Sequence, residues 1–155
     1  MNIEFRGKRT ADLKWVYGGY HYHEVFTPCI MHEEGTESPQ SDFQHLIIES
    51  GFSDWNMPKP INAMQVDAET VGQFTGLLDK NGKKIFQGDI ISFSIFDWQD
   101  DDKQYTGVVT FEDGAMIIKK DEINWHGLAY IYYQDDEMKI IGNIHDNPEL
   151  LEVAK

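Results

Sequence analysis

The residues best suited to bind a metal ion are three histidines and the single cysteine: His21, His23, Cys29 and His32. His21 and His23 lie two positions apart, so both rings would project from the same face of a strand. A zinc site needs about four such ligands. The spacing is not a recognised zinc pattern, however, and flanking tyrosines favour half-buried histidines. We therefore assign no metal and no cofactor, and whether the four side chains converge stays open.

Two acidic runs carry the carboxylates that could hold Ca²⁺ or Mg²⁺. Neither run has the spacing of an EF-hand loop, and the segment Asp79-Lys80-Asn81-Gly82 is too short for one. If the runs lay side by side, they could imitate a DNA backbone and block a host nucleic-acid-binding protein. Solvated loops that keep the protein soluble are the favoured interpretation. The runs comprise Asp97, Asp100, Asp101 and Asp102, and then Asp135, Asp136 and Glu137.

Catalytic chemistry has no local signature in this chain. The sequence lacks a phosphate-binding glycine loop, a nucleophile elbow and a His-Glu-x-x-His helix. A triad assembles in space, so His126, His145 and Asp146 remain available for one. No spacing singles them out. The catalytic residues are therefore left unassigned, and a non-enzymatic role is favoured over an unrecognised metal-dependent enzyme.

Aromatic side chains are numerous enough to suggest a binding surface. Aromatic residues are enriched at the centres of protein interfaces, but they also fill cores, and the sequence does not decide between these roles. The residues concerned are Trp55, Trp98, Trp125, Tyr130, Tyr132 and Tyr133.

The net charge of −14 comes from 27 acidic and 13 basic side chains. Binding to a phosphate backbone needs clustered Lys and Arg, so we expect no direct contact with nucleic acid. The amino end is the exception, since Arg6, Lys8, Arg9 and Lys14 outnumber the acidic residues there. This basic end could meet the acidic face of another copy, or simply be a solvated strand.

The lone cysteine and the absence of any long apolar run predict a cytoplasmic protein without membrane contact.

The elements that must position these residues are mostly strands. Alternating apolar residues predict strands over 2–6, 13–17 and 43–50, and Gly18-Gly19 is predicted to form a hairpin turn. Residues 32–42 are predicted to form a polar loop and 51–60 an irregular segment.

The segment from 67 to 93 predicts a second group of strands. Asp67 is expected to cap a short turn, after which a strand runs towards Asn81-Gly82, a pair typical of type I′ hairpins. That turn would place Leu78 opposite Ile85. The next strand is predicted to be half buried, with Ile91 and Phe93 on its inner face.

The remaining segments complete the predicted fold. Asp113-Gly114 predicts another hairpin with Phe111 opposite Met116 and Val109 opposite Ile118. Residues 128–133 could form a strand or one helical turn, 138–144 a strand, and Asn147-Pro148 should begin a terminal helix.

The predicted fold class is mainly β. Short antiparallel strands and hairpins would form a strongly bent sheet or small, partly open barrel, with a short C-terminal helix. We expect an N-terminal β-meander subdomain with a variable loop over 1–66 and a barrel-like core with the terminal helix over 67–155, or a single domain over 1–155.

Two segments resemble the YopX-like family of bacteriophage and prophage proteins: TVGQFTGLLDKNGKKIFQGDII over 70–91 and IIGNIHDNPELL over 140–151. The opening NIEFRGK is also similar to the family's start. The resemblance implies a small, mostly β, phage-encoded protein in a bacterial host, with no established activity, cofactor or catalytic residue. Residues 28–62 and the segment INWHGLAYIYY depart from the family pattern.

These observations together predict a non-catalytic binding or assembly module that acts as a homo-oligomer. A host or phage protein is the other expected partner. The alternatives are an acidic inhibitor of a host nucleic-acid-binding protein and a metal-dependent enzyme.

Overall fold

The computed structural model describes residues 3–25, 42–50, 61–94, 104–119, 125–135 and 137–151. The chain divides into two compact units, Met1–Val71 and Gly72–Lys155. Among the described residues, no helix is long and apolar enough to cross a membrane.

The first unit is an antiparallel meander. Its strands are β1 (Phe5–Lys8), β2 (Trp15–Val25), β3 (Asp42–Ser50) and β4 (Ile61–Gln65), and each pairs with the next along the chain. A 3-10 turn, Ala68–Thr70, follows β4, and the Asp67 side chain accepts the N–H of Glu69 at 3.1 Å. The predicted cap at Asp67 and the predicted strand over 43–50 are therefore confirmed.

The predicted turn at Gly18-Gly19 is wrong, because β2 runs through both glycines without a break. Gly18 pairs with Phe5 on one side and Gly19 with Ile48 on the other. The two neighbouring strands thus override the local turn preference of the glycine pair. The predicted strand start at residue 13 is also wrong, since Leu13 has a φ of 58° and β2 begins at Trp15.

The meander bends back on itself within this unit. An isolated bridge joins Arg9 to Val66, and the N–H of Thr10 donates to the carbonyl of Gln65 at 3.1 Å. The end of β1 therefore lies against the chain that leaves β4. The predicted strongly bent sheet is confirmed in this form, and over the residues that the structure describes it does not close into a barrel.

The second unit contains the hairpin of β5 (Gly72–Leu78) and β6 (Lys84–Phe86) and a five-stranded antiparallel sheet. The strand order of the sheet is β10-β9-β8-β7-β11. Its strands are β7 (Asp89–Ser94), β8 (Gln104–Glu112), β9 (Ala115–Lys119), β10 (Trp125–Gly127) and β11 (Lys139–Asn143).

The turn between β5 and β6 differs from the predicted type I′ hairpin. A type I′ turn needs positive φ at both central residues. Gly82 has a φ of 76°, but Asn81 is not among the residues with positive φ. Leu78 pairs with Lys84 rather than Ile85, and the pairing is irregular between Phe74 and Leu78, where Gly76 has a φ of 88°.

The β8–β9 turn matches its prediction. Asp113 and Gly114 have φ values of 50° and 81°, and Phe111 pairs with Met116 and Val109 with Ile118. The prediction of a half-buried β7 is wrong, because Ile90 is fully buried on the face opposite Ile91 and Phe93. A strand inside the sheet, with β8 and β11 on either side, can be covered on both faces.

The core of the second unit lies where a short helix meets the sheet. Residues 128–133 form part of α1 (Leu128–Gln134), which settles the choice between strand and helix. Leu128 and Ile131 lie three positions apart on α1, so both side chains are buried on the same face of the helix. Burial of each such side chain contributes about 1.5–3 kcal/mol to the free energy of unfolding. The terminal helix is a 3-10 turn, Pro148–Leu151. The buried cluster comprises Ile85, Ile91, Phe93, Val109, Ile118, Leu128, Ile131 and Met138.

Candidate functional site

Asp79, which lies in the densest part of the 70–91 segment, is a structural residue. Its side chain is buried, and its Oδ1 accepts the backbone N–H groups of Asn81 at 2.9 Å and Lys83 at 2.8 Å. Its Oδ2 accepts the N–H of Ile140 at 3.3 Å. Burial would raise the pKa of Asp79, but the N–H groups of Lys83, Ile140 and Asn81 together lower it below its ordinary value.

This side chain explains why the β5–β6 turn is not type I′. The Asp79 carboxylate organises the turn by binding N–H groups two and four residues later, as aspartates commonly do in turns. The same carboxylate connects the turn to β11, which is distant in sequence. The sequence shows the Asp-x-Asn-Gly pattern, but the common occurrence of Asn-Gly in type I′ hairpins led to the wrong turn type.

Other polar residues of this segment also bind backbone atoms. Asp89 is almost fully buried, and its Oδ2 accepts the N–H of Phe86 at 2.8 Å. The Thr75 hydroxyl donates to the carbonyl of Ile85 at 2.9 Å. The 70–91 segment therefore defines the fold, and these contacts assign it no chemistry.

Asp135, from the second acidic run, ends α1 and is buried. Its Oδ2 accepts the N–H of Ser94 at 2.6 Å, and its Oδ1 accepts the N–H of Glu137 at 2.9 Å. It therefore holds backbone groups in place rather than presenting its charge at the surface. Asp136 and the first run, Asp97 to Asp102, lie outside the described residues, so the DNA-like acidic surface stays a hypothesis.

A cleft of about 230 Å³ lies between the end of α1 and the β5–β6 turn. The N–H of Lys80 donates to the carbonyl of Met138 at 3.0 Å, which fixes one wall. The Lys80 ammonium forms an ion pair and a hydrogen bond with Glu137, and this bond lowers the pKa of the Glu137 carboxyl. The lining residues are Leu78, Asp79, Lys80, Tyr132, Tyr133, Asp135 and Met138.

The tyrosines of α1 are mostly at the surface. Tyr130 is 56% exposed and Tyr133 is 83% exposed, whereas Tyr132 is half buried. The rings of Tyr132 and Tyr133 have centroids 5.6 Å apart and planes at 80°. Of the three tryptophans considered for a binding surface, Trp55 and Trp98 lie outside the described residues, and Trp125 begins β10.

A second aromatic surface, which the sequence did not reveal, crosses β2 and β3. We call Tyr20, Tyr22, Phe43 and His45 the aromatic strip. Tyr22 and Phe43 stack with centroids 5.0 Å apart and planes at 7°, and they are 51% and 46% exposed. The Tyr20 hydroxyl lies 2.6 Å from Nδ1 of His45, and burial raises the Tyr20 pKa, with a contribution from Tyr22. The sequence signal for this surface is the spacing of Tyr20 and Tyr22, which places both rings on one face of a strand. The predicted turn at Gly18-Gly19 drew attention away from it.

His21 and His23 lie on one face of β2, as predicted, with ring centroids 5.9 Å apart. Cys29 and His32 lie outside the described residues. Within the described part of the chain, no three His, Cys, Asp or Glu side chains are grouped to hold a metal.

The residues considered for a triad lie in two places. The ring of His126 on β10 is 6.4 Å from that of Phe93. His145 and Asp146 lie in the turn after β11, where Asn143 Oδ1 accepts both of their backbone N–H groups. No catalytic role follows from these contacts.

The basic amino end is largely engaged in contacts within its own unit. Arg6 is buried, with its guanidinium 4.7 Å from the centroid of a Trp15 ring. Arg9 forms an ion pair with Asp12, and this hydrogen bond lowers the pKa of the Asp12 carboxyl to about 2. Lys14 lies 3.7 Å from the same carboxylate.

Solved structures that share this fold include two proteins of similar length. Protein EF1440 from Enterococcus faecalis has 22% identity and a TM-score of 0.53, covering 97% of this chain and 99% of that one. Protein yopX from Bacillus subtilis has 16% identity and a TM-score of 0.51, covering all of both chains. No curated protein matches the chain. The family model for YopX protein matches residues 4–152, and the chain therefore belongs to the YopX family.

Proposed function

We propose that the protein is a phage- or prophage-encoded binding and assembly module that acts as a homo-oligomer in the bacterial cytoplasm, without catalysis. The observation that carries the proposal is the exposed Tyr22–Phe43 pair of the aromatic strip. Two flat, stacked rings at the surface leave apolar area in water that a second copy can cover.

The position of the pair suits a symmetric contact. The strip runs from Tyr20, opposite the buried Ile47, out to the exposed Tyr22 and Phe43, so it is anchored in the core of its own unit. Its exposed end needs little ordering on binding, because both rings already stack. The same patch on two copies would meet across a two-fold axis. Glu24, paired with Phe43, would contribute to a polar rim.

The test is the mass of the purified protein by size-exclusion chromatography with light scattering. We expect a discrete oligomer for the wild type and a monomer for the double variant Tyr22→Ser with Phe43→Ser. Tyr17→Ser is the matched control, because Tyr17 is 45% exposed on the same strand but on the opposite face. It should remain oligomeric. A monomeric wild type, or an oligomer unaffected by the double variant, would refute the proposal.

A further inference from the structure

The cleft beside α1 combines an aromatic wall with an acidic rim. Tyr132 and Tyr133 stand at 80° to one another, so a planar group stacked on one ring directs its edge towards the other. The aromatic face carries negative potential and attracts a cation within about 6 Å of the ring centroid. The wall is therefore suited to a flat cation.

The charges around the cleft also favour a cation. Asp79 and Asp135 lie in its lining with their carboxylates bound to backbone N–H groups, and they contribute fixed negative charge. Glu137 lies at the rim with a side chain that is 75% exposed. Glu137 is paired with the Lys80 ammonium, and the charge of Lys139 also acts on it. Together with Asp79 and Asp135 in the lining, three carboxylates therefore stand against the ammonium groups of Lys80 and Lys139. Because Glu137 is exposed, it can leave Lys80 and accept a stronger partner.

We propose that this cleft binds an arginine side chain presented by a basic segment of another protein. Arginine suits the site better than lysine, since its planar guanidinium stacks on an aromatic ring while its N–H fork binds a carboxylate in two places. A volume of about 230 Å³ leaves room for the guanidinium and its methylene stem. The exposed Tyr133 and Glu137 would form the first contacts.

A second copy of this chain is a poor source of that arginine. The sequence contains two arginines, Arg6 and Arg9. Arg6 is buried in its own unit, and Arg9 is paired with Asp12. The arginine therefore comes from a different protein, whose basic segment the net charge of −14 would attract. This binding does not depend on self-association.

The experiment is a calorimetric titration at low salt with a flexible glycine-serine peptide that carries two arginines. Control peptides carry lysine or the uncharged citrulline instead. We expect the lysine peptide to bind about three- to tenfold more weakly and the citrulline peptide not to bind. The backbone amide NMR signals of Lys80, Tyr133 and Glu137 should shift on binding.

Two variants of α1 test the location. Tyr133→Ser should weaken binding of the arginine peptide about three- to tenfold, and Tyr133→Phe should retain it, because the ring face remains. Tyr130→Ser is the matched control, an exposed tyrosine outside the cleft lining, and should bind as the wild type does. Absence of binding, equal affinity for the arginine and lysine peptides, or equal weakening by both serine variants would overturn the proposal.

Discussion

A Cβ atom added to Gly18 would lie 2.2 Å from the carbonyl oxygen of Ile48, whereas one added to Gly19 would lie 4.0 Å from the same oxygen. The two neighbouring glycines of β2 therefore have different roles. At Gly18 the absence of a side chain lets the backbone of β3 approach closely. At Gly19 there is room for a methyl group.

Substitution of these glycines should separate the two roles. We expect Gly18→Ala to lower the free energy of unfolding by at least about 2 kcal/mol, because a backbone oxygen cannot move aside as a side chain can. Gly19→Ala should change it by less than about 1 kcal/mol in either direction, because the space is open and alanine restricts the unfolded chain. Urea unfolding followed by circular dichroism measures both, and equal losses would contradict the assignment.

Gly114 provides a test of backbone conformation alone. It has a φ of 81°, and a Cβ atom there would meet nothing within 4 Å. Gly114→Ala should therefore lower the free energy of unfolding by about 1–2 kcal/mol, because alanine disfavours the left-handed conformation. Crowding should add nothing to this loss. Asp113→Asn is the control, since asparagine tolerates positive φ, and its unfolding midpoint in urea should match the wild type. A neutral Gly114→Ala would rule out the left-handed turn.

Asp79 should make stability depend on pH. Its native pKa is below its ordinary value, so its stabilising effect is complete above the pKa of the unfolded chain, about 4. The effect is lost as the pH falls through the native pKa. We expect Asp79→Asn to cost about 1–3 kcal/mol at pH 7, with a difference from the wild type that shrinks in acid.

Urea titrations from pH 7 to pH 3 would measure this trend. Asp113→Asn, which changes an exposed turn carboxylate, is the matched control and should follow the wild type over the whole range. A constant difference between Asp79→Asn and the wild type would show that the charge of Asp79 is unimportant.

The direction of backbone groups in β4 gives a further prediction. The N–H of Val66 donates to the carbonyl of His45 on β3, and alternation makes the N–H of Met64 point to β3 and that of Ala63 away from it. Met64→Pro should therefore cost about 3 kcal/mol, because it removes a ladder bond. Ala63→Pro should cost less than about 1 kcal/mol. Thermal unfolding would compare them, and similar losses would refute the alternation.

Sequence patterns predicted the fold where a single local signal dominates. The Asp113-Gly114 turn and its register followed from two residues that tolerate positive φ. Gly18-Gly19 and Asn81-Gly82 gave equally strong signals, but the outcome depended on partners far away in sequence. Pairing with β1 and β3 extended β2, and the Asp79 carboxylate reshaped the other turn.

The candidate sites were only partly predictable for the same reason. The tyrosines of α1 stood out by their number, but the cleft beside them requires the β5–β6 turn, which lies more than forty residues earlier in the chain. Tyr22 and Phe43 are ordinary strand residues in sequence and become a surface only through the pairing of β2 with β3.

The contact between the end of β1 and the chain leaving β4 also bears on how the protein folds as it is made. Thr10 and Gln65, joined by a backbone hydrogen bond, are 55 positions apart. β1 can pair with β2 early, but the bond from Thr10 to Gln65 forms only after residues near Val66 have left the ribosome, and a contact between such distant residues slows folding. During that interval β1 and β2 expose an unpaired strand edge, which is when the nascent chain is most open to capture by a chaperone or to aggregation.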